Sequence, residues 1–246
     1  MKLRVSLAIA LLLSLAAALF AQSAGRAAQS RKPGAGDRIE FQMFPVRNTG
    51  IRFPRLISYS DAKIMKEVNR QIDELTGEFG CDDAEPGKKF SFDVKSRVEY
   101  AEKQLFSIYV SESFDCGAAH PTNDYNNSLT FDLKTGKLVE FEEMFKDYEA
   151  DRQEILRTIF AKQVEQSEKL AASGKRREAS CEGDPELYSM EHLEGSTFAF
   201  NLSREGLRVQ PDWPHVIAAC AERVTVPYEK LRKFAAPGGV LLRVMQ

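Results

Sequence analysis

From residue 60 onward the apolar positions keep two periods, and the places where one gives way to the other mark the elements. Met65, Val68, Ile72, Leu75 and Phe79 fall 3, 4, 3 and 4 residues apart. That spacing lays one apolar stripe along a helix, so a helix is predicted over 60–79 with the stripe turned to the core. Ser60 or Asp61 can cap its start, Arg70 and Glu74 sit one turn apart on the wet side, and Gly77 and Gly80 suit its end. Beyond it the period becomes two. Phe90, Phe92, Val94, Val98 and Tyr100 alternate with Ser91, Asp93, Lys95, Arg97 and Glu99, which predicts a strand with one buried face and one wet one. Phe106, Ile108, Val110 and Phe114 continue the pattern over 105–114, and the break at Ala101-Glu102-Lys103 makes the two runs an antiparallel hairpin. Leu129, Phe131 and Leu133 alternate again. Lys134-Thr135-Gly136-Lys137 then reads as a turn in which Gly136 is free to take positive φ, with 138–141 as the return strand.

A second long helix is predicted over 152–172. Ile155, Leu156, Ile159, Phe160 and Val164 form its buried face, Asp151 and Glu154 have capping-box spacing, and Gly174 ends it. Residues 173–186 are polar and read as loop. The last part returns to strands: Phe198, Phe200 and Leu202, a turn at Arg204-Glu205-Gly206, then Leu207 and Val209. Val224 and Val226 open a further strand, 227–234 reads as a short helix, and Val240 to Val244 closes the chain. Helices that interrupt antiparallel hairpins indicate an α+β fold, here hairpins packed with two long helices and stapled by disulfides.

The N-terminus follows other rules. Lys2 and Arg4 precede an uncharged apolar run from Val5 to Phe20, and small residues follow. This is the pattern of a secretory signal peptide over 1–21, cleaved after Ala21, or alternatively after Ser23. A run of 16 residues is short for a membrane span, which takes about 20. An uncleaved anchor is the rival reading. With no cysteine near the cleavage site, a lipoprotein anchor is disfavoured. Residues 22–37 hold Ala, Gly, Ser, Arg and Pro without periodicity and read as a flexible leader. Residues 38–246 are then a single α+β domain, periplasmic or secreted, with no stable membrane insertion of the mature chain.

The chain carries a net charge of −2, and removing residues 1–21 takes away Lys2 and Arg4 and no acid, which leaves −4. That balance argues against a nucleic-acid partner. Cys81, Cys116, Cys181 and Cys220 all lie beyond the leader, and an even number in an exported chain reads as disulfides. Of the three pairings, Cys81–Cys116 with Cys181–Cys220 is preferred because each bridge staples one half of the chain. A zinc site is the rival, but no two cysteines have C-x₂₋₄-C spacing.

Motifs for catalysis are sparse. His120, His192 and His215 lie far apart, and H-E-x-x-H, G-x-S-x-G and G-x-x-x-x-G-K-[ST] are missing from the chain. Paired carboxylates for glycoside hydrolysis carry no weight here, since 36 acids guarantee chance pairs. Neither a cofactor nor a metal is expected. One loop is dense in hydrogen-bonding groups: Asp115 to Pro121 with His120, followed by Thr122, Asn123, Asp124, Tyr125, Asn126 and Asn127. It reads as a binding loop around Asp115, His120, Asn123 and Tyr125, or as a disulfide-pinned crossing. Trp213, between Pro211 and Pro214, reads as an aromatic held under a strand rather than as an exposed ligand platform. Seven acids crowd Glu140 to Glu154, among them Glu142, Glu143 and Asp147. They are either a solvated rim favouring a helix N-terminus or an acidic patch attracting a basic protein.

Gly117-Ala-Ala-His120-Pro121, Ser128 to Lys137 with its Thr135-Gly136, and Glu143-Met-Phe145 together resemble a bacterial extracytoplasmic domain family. That family forms the C-terminal part of the lysozyme-binding anti-sigma factor RsiV and also occurs beside a peptidoglycan deacetylase domain. The resemblance continues through Phe200 to Leu207 and Val224 to Leu231, so it covers about 60–231. It departs at Asp212 to Glu222, where an aromatic-rich stretch is replaced, a glycine is lost and Cys220 has entered. With no transmembrane helix and no cytoplasmic anti-sigma segment, the signalling role does not carry over. The resemblance implies a non-enzymatic binding protein of the cell envelope that recognises a lysozyme-like hydrolase, as sensor, inhibitor or immunity protein. The alternative is an enzyme or enzyme accessory acting on peptidoglycan glycan.

Overall fold

The alternation over 91–138 builds one antiparallel sheet in the order β3 (Ser91–Glu102), β4 (Leu105–Asp115), β5 (Asn123–Asp132) and β6 (Lys137–Leu138). The computed structural model describes residues 38–46, 49–77, 79, 91–115, 123–174, 181 and 184–246; of residues 91, 92, 114, 115, 123–127, 215 and 216 it describes the backbone alone. The expected signal peptide, the leader, Cys81, Cys116 and His120 lie outside the described residues.

One face of this sheet buries Val94, Phe106, Ile108, Val110, Leu129 and Phe131. They pack against Phe53 and Leu56 of a separate two-stranded ribbon, β1 (Glu40–Pro45) with β2 (Arg52–Ser58), and against Val68 and Ile72 of helix α1 (Ala62–Gly77). The α1 stripe is core as expected. Asp61, rather than Ser60, caps the helix, accepting from the backbone N–H of Lys63 at 2.8 Å and of Ile64 at 3.1 Å. Arg70 bonds both Glu67 and Glu74 on the wet side.

The hairpin between β3 and β4 differs from its sequence reading in two ways. Its turn is Lys103-Gln104, both left-handed at φ 53° and 60°. Two such residues make the two-residue turn whose twist matches the strands. Each costs about 1–2 kcal/mol outside glycine. Contacts offset that cost: the Gln104 carbonyl accepts from Leu133 N at 2.9 Å, and Lys103 Nζ donates to the Val244 carbonyl at 2.9 Å. The second difference is a bulge. Pairing runs residue for residue from Ser91↔Asp115 to Val98↔Ile108 and resumes at Tyr100↔Ser107, so Glu99 is the extra residue. Strict alternation puts Tyr100 on the same face as Val98. The bulge turns it to the opposite face, into a second core.

That second core gathers helices α2 (Tyr148–Ile159), α3 (Ala161–Ser173) and α4 (Met190–Glu194) against a sheet of β7 (Thr197–Leu202), β8 (Leu207–Asp212) and β9 (Val224–Val226). The single helix expected over 152–172 is two, divided at Phe160 with φ −101° and ψ 29°. Just before the break the Thr158 hydroxyl donates to the Glu154 carbonyl at 2.7 Å, a back-bond that bends helices. The bend lets the Phe160 ring bury completely against Tyr188 and Phe198. Asp147 caps α2, accepting from Ala150 N at 3.1 Å, so the expected Asp151–Glu154 box is not used. The expected return strand 138–141 shrinks to β6, after which Phe141 leads into a 3-10 turn, Glu142–Met144. The short helices α5 (His215–Ala218) and α6 (Tyr228–Leu231) flank β9. Val240–Val244 is helix α7. Its apolar run is short enough to suit either strand or buried helix, and packing decides.

Antiparallel sheets with interspersed helices make this an α+β fold. Cys181 and Cys220 are bonded, with Cα atoms 5.0 Å apart. Among the described residues no helix is long and apolar enough to cross a membrane.

Candidate functional site

The two cores meet across a polar seam. The β4–β5 face turned away from the first core carries Ser107 and Thr130, fully buried or nearly so, and β7 lays Asn201 onto them, also fully buried. Asn201 Nδ2 donates to the Ile108 carbonyl at 2.8 Å and to Ser107 Oγ at 3.3 Å. Its Oδ1 accepts from Ser128 Oγ at 2.9 Å and Arg223 Nη2 at 2.6 Å. Leu202 N also donates to Ser107 Oγ, so both lone pairs of that hydroxyl are used and its proton goes to Thr130, 2.8 Å away. Every buried group of this network is satisfied, which is the condition under which burying it is tolerable.

At the solvent end of the seam lies Glu99, which the bulge has swung inward until its side chain is 3% exposed. Three arginines converge on it: Arg97 at 2.8 Å, Arg208 at 2.9 Å and Arg223 at 2.6 Å. The guanidiniums of Arg97 and Arg223 also lie over the Tyr109 ring, 4.8 and 4.1 Å from its centre. Burial alone pushes a carboxyl pKa upward. Here hydrogen bonds from Arg223 and Arg97, with the charges of Arg223 and Arg208, outweigh burial and hold Glu99 below the usual carboxylate range. A carboxylate held ionised at neutral pH by three arginines has no proton to give there. Glu99 is a strut. A second strut, Asp132 with Arg243 at 2.6 Å, ties the end of β5 to α7.

The carboxylates left facing solvent are elsewhere. The corner from Glu140 to Glu149 exposes Glu140, Glu142, Glu143, Asp147 and Glu149, with Lys146 the one base among them. Its apolar residues Phe141, Met144, Phe145 and Tyr148 are buried, and the three rings pack against one another. Its backbone is clamped from the far end of the chain: Lys146 N donates to the Phe234 carbonyl at 2.9 Å and Ala236 N to the Met144 carbonyl at 3.1 Å. Glu143 and Asp147 each spend one oxygen locally, on Glu140 N at 3.2 Å and Ala150 N at 3.1 Å. Glu154 is drawn away into a pair with Lys233. The Arg152 guanidinium lies over the Tyr148 ring, 5.5 Å away, beneath the corner.

The residues singled out in sequence therefore divide. Glu142, Glu143 and Asp147 share this corner. Asp115, Asn123 and Tyr125 do not join them: the register sets Asp115 opposite Ser91, Asn123 opposite Phe114 and Tyr125 opposite Glu112. Asn123 begins β5 and Asp132 ends it, a separation of roughly 30 Å at the rise of a strand. The acidic corner follows β6 at the Asp132 end. Trp213 is buried at 4% exposure, donates from Nε1 to Ser196 Oγ at 3.0 Å and packs on Tyr188 and His192, so it is core and not a platform. Glu99, Arg208, Arg223 and Asn201 escaped the sequence reading. Each occupies a position that local pattern assigns to a wet face or a loop. Among the described residues no group of three or more His, Cys, Asp or Glu is placed to hold a metal ion.

No protein-family model and no curated protein matches the sequence. Solved structures do. A DUF3298 family protein from Bacteroides fragilis superposes with a TM-score of 0.52 at 16% identity, covering 84% of this chain and 97% of that one. A DUF3298 family protein from Pseudomonas aeruginosa gives a TM-score of 0.44 at 15% identity, covering 81% and 94%. This chain thus shares the fold of the Bacteroides fragilis DUF3298 protein over nearly all of that structure.

Proposed function

We propose that this chain is an exported binding domain of the RsiV type that works in the cell envelope without catalysis of its own and recognises a lysozyme-like cell-wall hydrolase. The observation that carries the reading is the acidic corner: five exposed carboxylates against one lysine, on a backbone pinned by buried aromatics and by the Phe145↔Ala235 bridge. A predominantly acidic surface on a pinned backbone steers a basic partner and costs little ordering entropy on contact. The Cys181–Cys220 bond suits an oxidising compartment. The ion pairs at Glu99 and Asp132 support a non-catalytic role, because their charges are spent on holding elements of the fold together.

Surface plasmon resonance of the oxidised mature protein against a panel of lysozymes tests the reading. Micromolar or tighter binding that weakens with salt is the expected result. Absence of binding across the panel, with pelleting on insoluble peptidoglycan, transfers the role to a glycan ligand.

A further inference from the structure

The bulge that buries Glu99 leaves Arg97 on the surface beside it. Arg97, Tyr109 and Ser128 form one row across β3, β4 and β5, on the face turned away from the first core. The Arg97 side chain is 60% exposed, yet it is held on two sides. Its Nε donates to Glu99 Oε1 at 2.9 Å, and its Nη2 lies 2.8 Å from the same oxygen. Beneath it the Tyr109 ring supports the guanidinium plane, 4.8 Å away. Its Nη1 meets no partner among the described residues. Charge here does not balance either. Arg97, Arg208 and Arg223 share Glu99, and the other acid paired with any of them, the exposed Glu205, bonds Arg208 alone. One guanidinium charge is left in excess at the mouth of the seam, and Arg97 is the most exposed of the three.

A guanidinium has two N–H forks. In Arg97 the Nε–Nη2 fork is fixed on Glu99 and one face lies on an aromatic ring, so the Nη1–Nη2 fork is held in place with nothing of the protein to bond. A fork already immobilised loses little side-chain entropy on contact. The acceptor whose two oxygens match its plane and spacing is a carboxylate. We propose that Arg97 is a binding site for a carboxylate, taken in the guanidinium plane on the Nη1–Nη2 fork, with Glu99 as the residue that positions it. Arg223, over the same ring at 4.1 Å, adds positive charge behind the contact. Such a carboxylate comes from an acidic side chain or from an acidic sugar. The site stands independently of whether the acidic corner docks a hydrolase.

The test is titration of the isotope-labelled, oxidised mature protein, followed by NMR of backbone amides and arginine Nε–H groups. The carboxylate probes are Nα-acetylglutamate methylamide and N-acetylmuramic acid. Their neutral counterparts are the glutamine analogue and N-acetylglucosamine, and inorganic phosphate is the non-planar anion. Both carboxylates are expected to shift Arg97 Nε–H and the amides of Arg97 and Tyr109 and to saturate in the millimolar range, the neutral compounds to do neither. Tighter binding of the glutamate probe assigns the site to a protein side chain, and tighter binding of N-acetylmuramic acid assigns it to an acidic sugar. Arg97→Gln should weaken both about tenfold, and Arg97→Lys, which keeps the charge and loses the fork, about fivefold. Arg208 and Arg223 keep Glu99 paired in both variants. Lys95→Gln removes a charge from the same strand and should bind as the parent does. Equal shifts with the neutral compounds, phosphate binding tighter than either carboxylate, or Arg97→Lys binding as the parent does would overturn the proposal. So would Lys95→Gln weakening the probes as much as Arg97→Gln, or no saturable shift up to about 100 mM.

Discussion

Glu99 and Arg223, 124 residues apart in sequence, meet end to end: Nη1 reaches Oε1 at 3.1 Å and Nη2 reaches Oε2 at 2.6 Å. The pair joins β3 of one sheet to the start of β9 of the other, beside the buried Asn201. It is the charged end of the seam through which the two cores lean on each other.

Removing that charge should be costly. Glu99→Gln leaves Arg223 largely buried without its counter-ion and Arg208 with Glu205 alone, and a loss of about 2–4 kcal/mol is expected in urea unfolding at neutral pH. The pH dependence has a definite sign. A carboxylate whose folded pKa is lowered contributes stability that is complete above its unfolded value, about 4.3. The contribution is lost as pH falls through the lowered folded value. The gap between parent and variant should therefore be constant from neutrality down to about pH 5 and narrow below it. A gap that widens in acid would remove Glu99 as the titrating strut.

Gly206 allows the β7–β8 turn to lie against β9. A Cβ there meets the Val226 carbonyl oxygen at 2.2 Å and its carbon at 2.7 Å, and both are backbone. Gly206→Ala should cost about 3 kcal/mol, read as a fall of roughly 6–12 °C in Tm for a domain of this size.

The Cys181–Cys220 bridge closes a loop of 39 residues and is worth about 4 kcal/mol in the loop-entropy account. Replacing both cysteines by alanine should lower stability by about 2–4 kcal/mol. A non-reducing digest should release the 181–220 linked peptide, and the same digest measures whether Cys81 pairs with Cys116.

The acidic corner is best probed by substitutions that keep its hydrogen bonds. Glu142→Gln, Glu143→Gln and Asp147→Asn together preserve the Glu140 N contact and the helix cap, since asparagine caps as well as aspartate. Unfolding free energy should stay within about 0.5 kcal/mol of the parent. The on-rate for a basic lysozyme should drop about tenfold with little change in off-rate. The parent's on-rate should itself fall as salt passes 0.15 M, where screening reaches about 8 Å. A salt-independent on-rate would keep the partner and discard the corner.

The cells of this fold that depend on nearest neighbours were legible in sequence. The 3–4 spacing of Met65, Val68, Ile72 and Leu75 determined α1 and its buried face. Two-residue alternation determined β3, β4, β7 and the 129–132 end of β5, whose first half reads as loop in sequence, and Gly136 takes the positive φ open to it. The cysteines' even number, the acidic run and the lack of catalytic motifs were equally plain. Tertiary structure decided what depends on more than one segment. Glu99 reads as a wet-face residue until a one-residue bulge, specified by packing of two cores on opposite faces of the sheet, swings it to Arg223. Phe160 reads as mid-helix until the demand to bury its ring bends the chain. Val240–Val244 becomes helix because Leu241 and Val244 must fill the second core while Arg243 reaches Asp132. Period and propensity are properties of a few adjacent residues, whereas a buried charge is stable only where a distant partner has been delivered to it, and that delivery belongs to the fold as a whole.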